Sequence, residues 1–159
     1  MEIDDRDLFL FEGIQAAYPE VTALFSEHDS VRLYIAPETA IETENHIFEP
    51  NEIRLLRRIV RDENFRNTSA AFTMGMWESV RRNEEAHIFP YINKDHLRID
   101  STMPYEIGIL RPYLERVLAP IPTESPHREA ADRILEAISQ TPPLPADWIE
   151  EGFLYREFI

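Results

Sequence analysis

Apolar residues recur at helical spacing through much of this chain, most clearly over residues 51–85. Ile53, Leu56, Ile59 and Val60 fall on one stripe of a 3.6-residue helix, while Arg54, Arg57, Arg58 and Arg61 lie around the rest of the cylinder. The pattern predicts a helix that packs one face and leaves the other free, with Asn51 as its N-cap behind Pro50. A second helix is expected from a hydroxyl cap at Thr68 or Ser69, through Phe72, Met76 and Val80, to Arg81 and Arg82. The two would form a hairpin turning at Asn67, a residue type that tolerates a left-handed backbone better than most. Further on, Ile109, Leu110, Tyr113, Leu114 and Val117 predict a helix over 105–118 that Pro112 either kinks or begins. Ala130, Ile134, Leu135 and Ile138 predict another, capped from Thr123 or Ser125.

Strand signals are shorter. Residues 8–11 form an apolar run ending on Glu12 and Gly13, residues 31–36 a weakly alternating run, and residues 97–99 a third. Runs of this kind fit parallel strands buried on both faces, with ligands at their C-terminal edge. A short helix is expected over 20–25. The acidic segment 37–50, with a proline at each end, reads as an exposed connection, and its lone His46 as a surface residue. Met74, Met76 and Trp77 read as packing. Residues 87–91, with Pro90, close the second helix, and the apolar residues of 148–159 predict a docked C-terminal segment, since exposure forfeits about 25 cal/mol per Å².

A chain of 159 residues with 43% hydrophobic content suits one domain. Its net charge of -14 argues against nucleic acid and anionic membranes as bulk partners. Against that background seven of the 16 basic residues, Arg54, Arg57, Arg58, Arg61, Arg66, Arg81 and Arg82, crowd into 51–85. A planar guanidinium matches phosphate or carboxylate oxygens two at a time, so this reversal of sign implies an anionic partner. The alternative is a solvated face whose arginines pair with Glu52, Asp62 and Glu63. Absence of cysteine excludes disulfides, thiolate zinc sites and a cysteine nucleophile. The acidic start MEIDDRD and the lack of any apolar run near ~20 residues predict a soluble, cytoplasmic protein.

Several blocks, in order, carry a resemblance: RLLRRIVRDENFRNTSA, then MWESVRRNEEAHIFPY, then DSTMPYEIGILRPYLERVL, and the terminal YREFI. Together they resemble the bacterial uridine-type nucleoside kinases of the phosphoribulokinase and uridine kinase family, from about Leu8 to Ile159. The glycine-rich phosphate loop of that family, G-x-x-x-x-G-K-[ST], occurs nowhere in the chain, so the resemblance covers a C-terminal half. It implies an α/β fold: part of a three-layer P-loop-kinase-like domain with few parallel strands and predominant helices. Residues 51–91 would be a helical lid and 104–159 a C-terminal helical region within one domain, 1–159.

The implied chemistry is phosphoryl transfer from ATP, with Mg²⁺, to a nucleoside 5'-hydroxyl. By matching position, Arg61 and Arg66 would reach the transferring phosphoryl group and Arg58 the nucleoside side. Arg81 and Arg82 match a substrate-side block. Glu12 would help hold Mg²⁺, where its residue-level alternative is to cap the next turn. Asp100 and Ser101 would approach the adenine or ribose of ATP. Without the phosphate loop the chain is expected to transfer little alone and to associate, as a homo-oligomer or with a complementing P-loop-bearing chain. The alternative from another class is a non-catalytic nucleotide-binding or protein-interaction module.

Overall fold

The computed structural model describes residues 8–25, 30–92 and 97–159. They fall into two units: one takes the residues up to Tyr34 with Arg81–Arg98, the other Ile35–Val80 with Ile99–Ile159. The elements in order are α1 (Pro19–Thr22), β1 (Leu33–Ala36), β2 (Ile41–Glu42), β3 (Ile47–Phe48), α2 (Pro50–Arg66), α3 (Ala70–His87), β4 (Leu97–Asp100), α4 (Glu106–Leu118) and α5 (Arg128–Ser139), with single 3₁₀ turns at Ile14–Ala17, Phe89–Tyr91, Ala146–Trp148 and Leu154–Glu157. The fold is mixed α/β with helices predominant, as expected. β1 pairs with β4 in parallel, Leu97 N–H donating to the Arg32 carbonyl and Ser101 N–H to that of Ala36.

The second unit holds the core. α2 packs on α4 and α4 on α5. Ile53, Leu56, Ile59 and Val60 of α2 are buried as their spacing requires, against Ile107, Leu110, Leu114 and Leu118 of α4 and Ile134 and Ile138 of α5. α2 begins one residue before the expected cap: Glu49 is the N-cap and Pro50 takes the first helical position, where its missing N–H would be unpaired anyway. It stops at Asn67, whose φ of 50° and ψ of 41° put it in the left-handed region, and the Asn67 and Thr68 N–H groups both close on the Asp62 carbonyl. The Ser69 hydroxyl then accepts the Phe72 N–H at 3.3 Å, starting α3 as anticipated.

Pro112 lies inside α4, where it cannot donate to the Gly108 carbonyl one turn back. That carbonyl accepts the Leu144 N–H instead, at 2.9 Å. Gly108 lets the 142–144 chain in: a Cβ there would stand 2.7 Å from the Pro142 carbonyl oxygen and 2.9 Å from Leu144 Cγ. Arg111 fastens the same connection by donating to the carbonyls of Ser139 and Thr141 at 2.8 and 2.6 Å. The C-terminal segment is docked as predicted, with Ile149, Tyr155 and Phe158 buried.

Four expectations are corrected. Met76, read as packing, is 40% exposed on α3. Residues 8–11 form no strand, and Leu8 and Leu10 stand in solvent; an apolar run becomes a strand only where a neighbouring edge accepts it. β1 and β4 form where expected but are exposed rather than buried on both faces. The supposed connection 37–50 contains the β2–β3 hairpin, in register Ile41 to Phe48 and Glu42 to Ile47, and contributes fully buried Phe48 to the core. His46 of that hairpin is half-buried, edge-on to Phe48, with Nε2 2.9 Å from Glu52 Oε2.

Candidate functional site

One buried carboxylate organises the end of α2. Asp62 Oδ2 accepts from Arg58 Nε and from the Thr73 hydroxyl, each at 3.2 Å, and Oδ1 accepts from Arg66 Nη1, also at 3.2 Å. Arg61 Nε lies 3.6 Å from the same Oδ1, and this buried nitrogen has no hydrogen-bond partner. The helix explains the convergence: Arg58 and Arg66 stand four residues either side of Asp62, on its face. Three guanidiniums around one carboxylate leave the cluster cationic in a chain of net charge -14. The three residues singled out by the resemblance are thus brought together, by Asp62, one of the carboxylates that the ion-paired alternative named as their partners.

Arg57 is different. Its side chain is 7% exposed, and its guanidinium is fully used: Nε and Nη2 clasp Glu106 at 2.7 and 2.9 Å, Nη1 and Nη2 hold the Ser101 hydroxyl and carbonyl at 3.0 and 2.7 Å, and Nη2 also meets the Tyr155 hydroxyl at 2.8 Å. The rings of Tyr155 and Phe158 lie beneath it. Burial draws the guanidinium down, but the Glu106 carboxylate and then Tyr155 outweigh it and hold Arg57 above its ordinary value. Burial, then the Glu106 carboxylate, pushes the Tyr155 phenol up against the pull of Arg57. Ser101 therefore serves the core, and its hydroxyl is occupied by Arg57.

Asp100 ends β4 and ties together the loops leaving both parallel strands. Its Oδ1 accepts the N–H groups of Glu38 and Thr102 at 2.9 and 2.8 Å, and its Oδ2 accepts the Thr39 hydroxyl. Some desolvation pushes the carboxyl up, but the hydrogen bonds from Thr39, Thr102 and Glu38 prevail and hold it well below the usual carboxylate range. A cavity of about 280 Å³ opens beside it, lined by Thr39, Ile41, Glu42, Asp100, Thr102 and Pro104. This is the carboxyl edge of a parallel pair, where ligands of open sheets bind. Carboxylates and threonines there suit hydroxyl or amine donors and repel phosphate.

The remaining sequence candidates belong to the other unit. Arg81 donates to Glu84 at 2.6 Å, approaches Glu85 at 3.7 Å and lies over the Phe89 ring. Arg82 is exposed at the next position of α3. Glu12 is exposed, and among the described residues no group of three or more metal-ligating side chains is assembled. A single carboxylate suits Mg²⁺ only where phosphates and waters supply the rest of its octahedron. Sequence reasoning missed Arg57, Glu106, Tyr155 and Glu157; the one signal for them was a buried-side position carrying arginine opposite a docked C-terminal segment. Among the described residues no helix is long and apolar enough to cross a membrane. No family model, curated protein or solved structure matches the chain.

Proposed function

We propose that this chain is the C-terminal part of an ATP-dependent uridine-type nucleoside kinase, contributing the arginine lid of a phosphoryl-transfer site and not competent for transfer alone. The observation that carries this is the convergence of Arg58, Arg61 and Arg66 on Asp62 at the head of a helical hairpin. Loose phosphoryl transfer needs positioning and stabilisation of charge on the equatorial oxygens, and arginines supply both. The division of charge fits: phosphates go to the arginines, and ribose or base donors to the Asp100 cavity. Mg²⁺ would arrive with the ATP phosphates, whose oxygens and waters supply most of its octahedron. The absence of a phosphate loop from the sequence favours a second reading, a nucleotide-binding or interaction module without catalysis.

Calorimetric titration with magnesium-ATP tests the proposal. Binding that weakens in Arg58→Ala and Arg66→Ala, with no phosphorylation of uridine by the chain alone, is expected. Affinity unchanged by both substitutions rejects the arginine site, and robust uridine phosphorylation by the isolated chain rejects the half-kinase.

A further inference from the structure

The C-terminal turn runs along one face of α2. Arg57 donates to the Tyr155 hydroxyl at 2.8 Å, Arg61 Nη1 faces Glu157 Oε1 at 3.6 Å, and Asn64 Nδ2 donates to the Phe158 carbonyl at 2.9 Å. Residues 57, 61 and 64 are spaced four and three apart, which sets them in one row. The outer two contacts are hydrogen bonds and the middle one is not. Arg61 sits between two carboxylates, each at 3.6 Å, and its buried Nε goes unbonded because the oxygens of Asp62 already serve Arg58, Arg66 and Thr73. Its guanidinium is therefore held by charge alone. Glu157 is 60% exposed and so is held only weakly. A phosphate-type oxyanion, accepting two parallel N–H groups at about 2.7–2.9 Å, makes the better partner.

We infer that Glu157 is a built-in competitor for the arginine site: it occupies Arg61 in the ligand-free chain, and a phosphate-class oxyanion displaces it. The inference rests on the proposed arginine site and adds its regulation. Glu157 sets the affinity of that site. Tyr155 and Phe158 anchor the turn on either side, so displacement requires only a rotation of the Glu157 side chain and not release of the segment.

The test is calorimetric titration of the full chain with inorganic tripolyphosphate. Glu157→Gln should bind roughly two- to fivefold more tightly than wild type, the range expected for loss of an exposed ion pair. Glu157→Asp, which keeps the charge but draws it back, should fall between. In an Arg61→Ala background, which itself weakens binding, Glu157→Gln should change nothing. Affinity in Glu157→Gln equal to or below wild type, with Arg61→Ala still weakening binding, overturns the competitor and leaves the arginine site standing. No change in any of Arg58→Ala, Arg61→Ala and Arg66→Ala, or no binding by wild type and Glu157→Gln at millimolar concentration, overturns both. Glu157 is exposed, so unchanged thermal melts should accompany the Glu157 substitutions.

Discussion

Among single residues, Arg57 decides most. A buried guanidinium is tolerable only with its partners, so Glu106→Ala should cost about 3–5 kcal/mol by leaving an uncompensated charge, measured by urea unfolding. Tyr155→Phe removes one hydroxyl from the same guanidinium and should cost only about 1 kcal/mol. The phenol also gives a pH signature. Its folded pKa is raised, so its contribution is fully present below the ordinary tyrosine value of about 10 and is lost as pH rises beyond it. Melting temperature should therefore fall more steeply above that pH in wild type than in Tyr155→Phe, and parallel curves would refute the assignment. The resemblance singled out Arg58, Arg61 and Arg66, while charge and spacing alone gave the arginine-rich helix and, in the ion-paired alternative, Asp62 as a partner. Arg57 read as one more arginine of the free face, because its partners lie 49 and 98 residues away and local periodicity carries no information about them.

Among elements, the helices were legible and the short strands were not. α2, α4 and α5 each present a long apolar stripe, which survives errors at its ends, whereas α3 was placed by its hydroxyl cap and leaves Phe72 and Met76 58% and 40% exposed. β2 and β3 are two residues each, and the acidic residues and prolines around Ile41 and Phe48 hide them. Two backbone positions make element-scale predictions. Asn67→Val should cost about 1–2 kcal/mol while Asn67→Gly stays near wild type, since only the former opposes a φ of 50°. Gly108→Ala should destabilise by about 1–3 kcal/mol, because its Cβ would collide with the Pro142 backbone carbonyl as well as with the Leu144 side chain. Equal stability of wild type and Gly108→Ala would mean that the 142–144 connection yields without penalty. Gly75→Ala provides the contrast: its nearest neighbour is a side-chain atom, His127 Nε2 at 3.1 Å, and its effect should be smaller.

For the whole molecule, the parallel pair is the anomaly. Leu33, Ile35, Leu97 and Ile99 are 50%, 57%, 58% and 46% exposed, whereas parallel strands are normally covered on both faces. Together with open edges, this predicts concentration-dependent association, checked by analytical ultracentrifugation; a monodisperse monomer across the accessible range would count against it. The Arg57–Tyr155 contact bears on synthesis. Spanning 98 residues of chain, it cannot close until roughly 5–20 s after Arg57 leaves the peptidyl-transferase centre, at ordinary elongation rates. During that interval Glu106 arrives first and Tyr155 last, so the nascent chain carries a guanidinium whose coordination is completed only when Tyr155 has been added. Ribosomal products truncated at Gly152 should be cleared by proteases faster than those that include the 153–159 turn, and equal survival would show that the hydroxyl is dispensable to maturation.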